Sequence, residues 1–429
     1  MDYDLVVIGG GAAGMLAAGR AAENGLEVLL LERNNRLGKK LGITGKGRCN
    51  ITNSAETERF IENFGKKGKF LYGAITRFTS SDLVRFFAGL GVETKEERGG
   101  RIFPANDKAS TVVKALERYA RSNGVVIELS SRVDRIVTGR ESGAVEGVIL
   151  KNDRKTISSG KTINANETIN TGKVLLATGG KSYPATGSTG DGYAIAASLG
   201  HTIVKPRQSL VPFDTGNRFV RDLQGLSLKN VEVTVFTGGR KTASGFGEML
   251  FTHFGVSGPV ILTLSGQITD DLAAGKTVEL SIDFKPALTG EKLDKRLIRE
   301  FADSGTKHFR TVMKNLLPNR LIPVFITLSG IAPEKKCSQI TSTERNNLAA
   351  LLKDLRLTIK RPRPFEEAII TRGGIDLKEI DPRTMRSKLV DGLYFCGEVI
   401  DIDGNTGGYN LQAAFSTAWL AAEACSNLK

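Results

Sequence analysis

The first apolar run in the chain is Leu5 to Ile8, and Gly9, Gly11 and Gly14 follow it directly. A continuous apolar run of that length, β-branched at most positions, predicts a strand buried on both faces of a parallel sheet. The segment after it reads as a helix that stops at Asn24-Gly25, a pair suited to a helix C-terminus. Glu27 to Leu31 then predicts a second strand, with Glu32 at its end. The same style returns twice. Val174 to Ala177 predicts a buried strand that enters a second glycine-rich stretch, 178–192, before a helix from Tyr193 to Leu199. Leu393 to Cys396 predicts another, ahead of a helix of small residues from Leu411 to Cys425.

Between these stretches the pattern changes. Residues 60–123 predict helical additions, one capped by Ser81-Asp82 and burying Leu83, Phe86, Phe87 and Leu90, the next capped by Ser110 and burying Val112, Val113, Leu116 and Tyr119. Arg98 to Pro104 predicts a compact basic turn, and Val125 to Leu129 and Arg132 to Val137 predict strands, with a hairpin continuing to about 172. From about Pro206, the runs Val231–Phe236, Leu250–Thr252, Val260–Leu264 and Val278–Phe284 predict short strands between glycine turns, as in a barrel or sandwich. Residues 290–357 predict helices. Leu293, Leu297, Ile298 and Phe301 share one face, and Thr341-x-x-Glu344 forms a capping box ahead of Leu348, Leu351, Leu352 and Leu355. Near Arg361-Pro-Arg-Pro364 the first style resumes. The fold class expected is α/β, with a discontinuous Rossmann-like domain of residues 1–205 and 362–429 and an inserted domain of residues 206–361.

Strand, glycine turn, helix, second strand and acid in this register predict a dinucleotide site. Gly9 permits the tight turn, Gly11 lets the backbone approach a pyrophosphate, and Gly14 lets the helix pack on the strand. Glu32, 18 residues beyond Gly14, can accept hydrogen bonds from the ribose hydroxyls and would repel a 2′-phosphate. The motif alone does not separate FAD from NAD. Residues 33–53 carry glycines at 38, 42, 45 and 47 and cations at 33, 36, 39, 40, 46 and 48, a composition that cannot hold a stable helix or strand. With Thr44, Arg48, Cys49 and Asn50 interleaved, it predicts backbone wrapped around an anionic ligand. A helix starting at Gly408 to Leu411 could place backbone N–H groups on an electron-rich ring carbonyl, which in a flavin is O2.

At 429 residues, 40% hydrophobic and 25% charged, the chain has the length and composition of a globular protein of two or three domains. No apolar run approaches membrane-spanning length, and the first strand starts too close to Met1 for a signal peptide, so a cytoplasmic location is expected. The four cysteines form no CxxC pair and there are three histidines, a composition that predicts neither structural disulfides nor a metal site. Charge adds more. Sixty Lys plus Arg against 46 Asp plus Glu gives a formal +14 and a pI near 9.6. A bound FAD carries only about two charges on its pyrophosphate and cannot account for that surplus. Either the surface is simply solubilising, or the partner is a polyanion such as RNA.

With these residues assembled, the sequence resembles the two-dinucleotide-binding-domain flavoproteins, and within them the BaiN/RdsA family of NAD(P)/FAD-dependent oxidoreductases, over essentially its whole length. The most specific stretches are GKKLGITGKGRCNITN (38–53), LLATGGKSYPATGSTGDGY (175–193), GEMLFTHFGVSGP (247–259) and GLYFCGEVIDIDGNTGGYNLQAA (392–414). The resemblance implies FAD as cofactor, with NAD(P)H as a transient electron donor. It implies a β-barrel interrupted by helices for the insertion, with barrel strands at about 206–289 and 358–361 and a helical part at about 290–357. Carried over by residue, it implies that Glu32 with Arg33 meets the adenosine ribose and that Gly9, Gly11, Ala13 and Gly14 hold the pyrophosphate. It implies further that backbone at Val133 lies near adenine and that Lys40, Thr44, Gly47, Arg48, Asn50, Gly179, Gly397, Glu398, Asp403, Asn410 and Leu411 complete the cofactor shell. Activities in the family differ: reduction of a conjugated C=C in steroid-like bile acids, dihydrouridine formation in 23S ribosomal RNA, and amine oxidation. For a reductase, the candidate donors to a developing enolate are Arg48, Arg372 and the helix start at Asn410. The candidate acids are Cys49, Tyr183, His253 and Tyr409. Cys49 could equally pack under the ring, and His253 could equally be a core residue. The surplus charge favours ribosomal RNA as substrate; a small enone or amine, or a flavin-dependent sensor without turnover, are the alternatives.

Overall fold

The computed structural model describes residues 1–151, 154–156, 162–164 and 167–426, without the side chains of the two short pieces. The chain divides into two compact units, Met1–Arg207 with Ile369–Lys429, and Gln208–Ala368.

The first unit is built on a five-stranded parallel sheet in the order Leu393–Phe395, Val174–Leu176, Leu5–Ile8, Val28–Leu31 and Val126–Glu128. Val6 lies opposite Val174 on one side and Leu29 on the other. All four residues of Leu5–Ile8 are buried, which is why the run shows no polar alternation. Helix Ala12–Glu23 packs against helix Ala109–Ser122 and the C-terminal helix Tyr409–Ser426. Its small residues allow the close approach: a Cβ at Gly19 would stand 2.5 Å from the Tyr119 ring. The central strands thus come from both ends of the chain and its middle, and their carboxyl ends converge where the glycine turns begin. That is where an open α/β sheet forms its ligand crevice.

Several local expectations change. The helix expected to start at Ser81-Asp82 is capped slightly earlier by Thr79, whose hydroxyl accepts the Asp82 N–H while the Asp82 carboxylate accepts the Thr79 N–H. Helix Ala109–Ser122 follows Lys108 with no side-chain cap at all, so Ser110 lies inside it. Within 98–104 only the first residues turn; Arg101–Pro104 is a strand paired antiparallel with Thr94–Glu97. The 38–53 stretch is not wholly irregular: it contains the 3-10 turn Leu41–Gly47, broken at Thr44 to Lys46, and the strand Thr52–Asn53. The hairpin expected up to 172 is seen as Val133–Thr138, Val145–Leu150 and Thr168–Asn170, while 152, 153, 157–161, 165 and 166 lie outside the described residues.

In the second unit six strands close a barrel in the order Phe213–Thr215, Gly255–Ser257, Arg240–Phe251, Ser227–Thr237, Val278–Asp283 and Leu355–Pro362. Alternate residues Val231, Val233 and Val235 point into its core with Leu280, Ile282 and Leu357. Val260–Leu264 is not a strand. Gly258, at φ +97°, turns the chain into Pro259 at the first position of helix Pro259–Ala273, and Val260, Ile261, Leu264 and Ile268 form its buried face. Helices Gly290–Asp303, Leu321–Ser329 and Ser342–Lys353 precede the last barrel strand; the last has the Thr341–Glu344 capping box. Ile298 is 45% exposed rather than part of the buried face, and Leu355 begins a strand because the helix ends at Lys353.

Among the described residues no helix is long and apolar enough to cross a membrane, and no cluster of three or more His, Cys, Asp or Glu side chains is placed to hold a metal ion.

One buried polar group ties the segment 376–391 to the sheet. The His201 ring has Nδ1 3.1 Å from Glu379 Oε2 and Nε2 2.9 Å from Ser387 Oγ, and stands edge-on to Phe395. Burial holds His201 less basic than usual, against the opposing pull of Glu379. The folded chain therefore binds fewer protons here than the unfolded chain, so the contribution of neutral His201 is present above the ordinary histidine pKa of about 6.5 and is lost as pH falls below it. Urea midpoints measured from about pH 7.5 down to 5.5 should fall more steeply for the wild type than for His201→Gln. Parallel slopes would remove the assignment.

Candidate cofactor site

The first glycine turn is held by close backbone packing. Gly9, at φ +109°, donates its N–H to Leu31 O at 2.8 Å, and a Cβ on Gly14 would fall 1.8 Å from Gly9 O. A Cβ on Gly11 would meet nothing within 4 Å. The turn is thus packed at Gly9 and Gly14 and open at Gly11, beside the first turn of helix Ala12–Glu23. Ala13 is buried in that first turn, and the N–H groups there have no partner within the helix. Such N–H groups are the donors an anion takes at a helix N-terminus.

Glu32 lies beside this turn, 7% exposed. Its Oε2 accepts the Gly10 N–H at 2.7 Å, and its Oε1 accepts both the N–H and the side-chain amide of Asn34 at 2.7 Å. A carboxylate has about four acceptor positions, so one remains. While Asn34 holds this rotamer, Glu32 can accept from one ribose hydroxyl, not from both. Asn34 also donates to Thr186 O and accepts from Lys39, which joins this corner to the second glycine stretch. Arg33 pairs with Asp191 at 2.8 Å, and Arg132 reaches the same carboxylate. Val133 follows, buried, at the start of its strand.

In the 38–53 stretch the left-handed backbone at Gly45, Lys46, Gly47 and Cys49 makes the wrapped path. Thr44 donates its hydroxyl to Leu41 O, and nothing stands within 4 Å of a Cβ at Gly47. Asn50 Oδ1 is buried with no hydrogen-bond partner. Such an atom costs about 1–3 kcal/mol unless a donor reaches it. Arg48 does not point a free guanidinium at a ligand: it bonds Asp107 at 2.8 Å through Nε, pairs with Glu97, and lies over the Phe103 ring. Cys49 is fully buried in the apolar core, and burial pushes its thiol up to about 12. It is therefore a poor acid and a poor nucleophile. The other three cysteines are also at most 3% exposed. Thiol reagents at about pH 8 should modify none of the four cysteines in the native protein and all four after denaturation; rapid modification of one native thiol would show that Cys49 or another is accessible.

The two later glycine stretches are joined to the first by one network. Lys40 Nζ lies 2.5 Å from Glu398 and 2.6 Å from Ser182 Oγ; Glu398 Oε1 accepts from Ser182 Oγ at 3.0 Å and from the Thr371 N–H at 2.7 Å. Thr371 Oγ1 accepts the N–H groups of Lys181 and Ser182. Gly179 and Gly397 both adopt positive φ in these turns. Asp403 bonds Arg372 at 3.0 Å, and Lys67 reaches Asp401 at 2.6 Å and Asp403 at 3.4 Å, so Arg372 is engaged rather than poised alone.

The C-terminal helix starts beside the strand Thr52–Asn53. A Cβ at Gly408 would fall 2.2 Å from Thr52 O, Asn53 donates to Gly407 O, and Thr52 Oγ1 bonds Gln412 Oε1 at 2.6 Å. The side chain of Asn410 holds the loop before it, accepting from Gly404 N and donating to Gly404 O. What Asn410 and Leu411 can offer a ligand is therefore the backbone N–H groups of the first helical turn. Tyr409 is 6% exposed with its ring edge-on to Phe60 at 5.0 Å, and Tyr183 is left-handed at φ +52°. His253 lies in the other unit, exposed on the turn before Gly255–Ser257, with its ring edge-on to Phe254. Of the two readings left open for His253, the core histidine is the one the structure removes: its apolar neighbours in sequence do not cover it.

Residues that sequence reasoning missed are Asn34, Thr52, Lys67, Ser182, Thr371, Asp401 and Gln412. Only Gln412 carried a signal, as a polar residue amid the small apolar ones of its helix. The open space at Gly11 and Gly47, the orphaned Asn50 oxygen, the buried acid and two helix N-termini fit a flavin dinucleotide.

Comparison with known proteins agrees with this fit. The family model described as HI0933-like protein Rossmann domain matches residues 3–424. The 3-dehydro-bile acid delta(4,6)-reductase of Clostridium scindens is 32% identical over 422 residues, 98% of each chain. The ribosomal RNA dihydrouridine synthase of Haemophilus influenzae is 30% identical over 419 residues, 97% of each chain. Among solved structures, the 3-ketosteroid delta1-dehydrogenase of Sterolibacterium denitrificans shares the fold at 15% identity, with a TM-score of 0.53 and full coverage of both chains.

Proposed function

The chain belongs to the HI0933-like Rossmann family and is an FAD-dependent oxidoreductase, and on that premise we propose that it reduces uridine in 23S ribosomal RNA to dihydrouridine. The observation that carries this reading is the full-length match to a ribosomal RNA dihydrouridine synthase, supported by the formal charge of +14. When bound, FAD supplies the redox chemistry, accepting hydride from NADH or NADPH and delivering it to a C=C conjugated with a carbonyl.

The residues of the chain do the rest. Gly11 and the helix start behind it hold the pyrophosphate, and Glu32 accepts a ribose hydroxyl. The first-turn N–H groups of Tyr409, Asn410 and Leu411 stabilise negative charge as it develops. Lys40, fixed by Glu398 and Ser182, keeps a positive charge at the junction of the three glycine stretches. The α carbon still needs a proton. Cys49 is too weakly acidic and too buried to give one, and Arg48 is held by two carboxylates, so Tyr183 and Tyr409 are the candidates in the first unit. We assign substrate selection to the second unit, whose barrel and helices lack a glycine fingerprint.

A second reading is favoured by the 32% identity to the bile acid reductase: a steroid-like enone as substrate. The two are separated by the dihydrouridine content of 23S ribosomal RNA from cells with and without the gene. An unchanged content removes the RNA reading. Turnover of a 3-dehydro-bile acid by the purified flavoprotein, with no RNA present, would support the second.

A further inference from the structure

A cavity of about 660 Å³ opens on the first unit, lined by Thr76 and Arg77, by Arg383, Thr384 and Arg386, and by the end of the C-terminal helix around Glu423. None of these residues belongs to the cofactor shell. Leu420 to Ala424 lie 11 to 15 residues past Tyr409, so at about 1.5 Å per residue the cavity is roughly 16–22 Å from the helix start that faces the flavin.

Its electrostatics are set by orientation. The three guanidiniums are tethered by acids: Arg77 to Glu423 through Nε, Arg383 to Asp381 through Nε and Nη2, and Arg386 to Asp391 through Nη2. Glu423 and Asp381 are 13% and 26% exposed, whereas Arg77 and Arg383 are 61% and 86% exposed. In these two pairs the acid sits beneath and the cation faces solvent; in the third, Arg386 is 37% and Asp391 71% exposed, so both partners reach solvent. Among the described residues, each arginine keeps N–H groups that no protein acceptor takes, both terminal nitrogens of Arg77 among them. A tethered guanidinium with outward N–H groups is suited to a phosphate oxygen, because its position is already fixed. Tyr72, four residues before Thr76 on helix Tyr72–Arg77, is 56% exposed, and side chains four apart share a helix face.

We propose that this cavity is an RNA-binding site that takes backbone phosphates on Arg77, Arg383 and Arg386, with an unpaired base against Tyr72, and anchors the RNA away from the reacting uridine. The inference rests on the RNA reading of function. Exposed aromatic rings beside cations are how single-stranded or looped RNA is held without base-specific recognition.

The test uses the FAD-loaded full chain and a labelled uridine-containing hairpin of 23S ribosomal RNA, with affinity measured across a salt series. Every phosphate that no longer meets a cation lowers the slope of log K against log salt by about 0.7–0.9. Replacing two cations, Arg383→Gln with Arg386→Gln, should therefore lower it by about 1.4–1.8 and weaken binding at least tenfold. Arg383→Lys with Arg386→Lys should restore most of the slope. Lys114→Gln with Arg121→Gln, exposed on helix Ala109–Ser122 and outside both the cavity lining and the cofactor shell, removes the same charge and should change the slope by less than half as much. Flavin absorbance per chain confirms that each variant is folded. A wild-type enzyme that forms dihydrouridine while the cavity variant binds like the control overturns the cavity and spares the function. Wild-type binding that ignores salt, with no dihydrouridine formed, overturns both.

Discussion

Gly11→Ala will give a chain that folds and does not hold FAD, whereas Gly14→Ala will fail first as a fold. The two positions are three residues apart on one turn, and their surroundings are opposite. A methyl at Gly14 would fall 1.8 Å from Gly9 O and 3.0 Å from Gly9 C, backbone atoms that cannot rotate away. Overpacking of this kind costs about 1–3 kcal/mol and occasionally more, and a clash with backbone belongs at the upper end. A methyl at Gly11 meets no protein atom within 4 Å, and the residue already has φ −82°, open to any L-residue. Because Gly11 is the N-cap, alanine there should cost about 1 kcal/mol or less. The methyl instead fills the space through which a pyrophosphate approaches the helix N-terminus. Converted at 1.4 kcal/mol per decade, the same overpacking range gives FAD binding about five- to a hundredfold weaker. Flavin absorbance per chain after gel filtration, with the urea midpoint of the apoprotein, measures both effects. Full flavin content in Gly11→Ala would place the pyrophosphate elsewhere.

The contrast between these glycines marks the boundary of what the sequence could say. Spacing showed that all three glycines belong to one turn, because a strand and a helix flank them in register. It could not show which glycine is packed and which is open, since that depends on Ala177 and Gly9 meeting across strands far apart in the chain. The same limit applies to Glu32. Its place at a strand end was legible, but the engagement of three of its four acceptor positions by Gly10 and Asn34 was not. Arg48 and Cys49 were read from a cation-rich, glycine-rich stretch that does wrap as expected. Yet the backbone alternates direction there through left-handed residues, so Arg48 turns out toward Glu97 and Asp107 while Cys49 turns into the core. Val260 to Leu264 was ambiguous for a simpler reason. A short apolar run suits a buried strand and a buried helix equally, and Pro259 after a left-handed glycine decides for the helix.

Glu398→Ala should be the most damaging single truncation outside the glycine turns. Its carboxylate takes Lys40 on one oxygen and Ser182 with the Thr371 N–H on the other, so it joins the 38–53 stretch, the second glycine stretch and the strand Ile370–Ile375. The ion pair is about one-fifth exposed on each side. Exposed pairs contribute about 0–1 kcal/mol and breaking a buried one costs about 3–5 kcal/mol, so an intermediate loss of about 2–3 kcal/mol is expected. Glu398→Gln keeps an acceptor for Thr371 and loses only the charge, and should cost about half as much. Urea midpoints of wild type, Lys40→Met, Glu398→Gln and the double variant measure how much of that loss the two side chains share. Additive losses in that cycle would show that Lys40 and Glu398 act independently. A coupling of about 1 kcal/mol or more would establish the pair as the charged joint on which the cofactor shell closes.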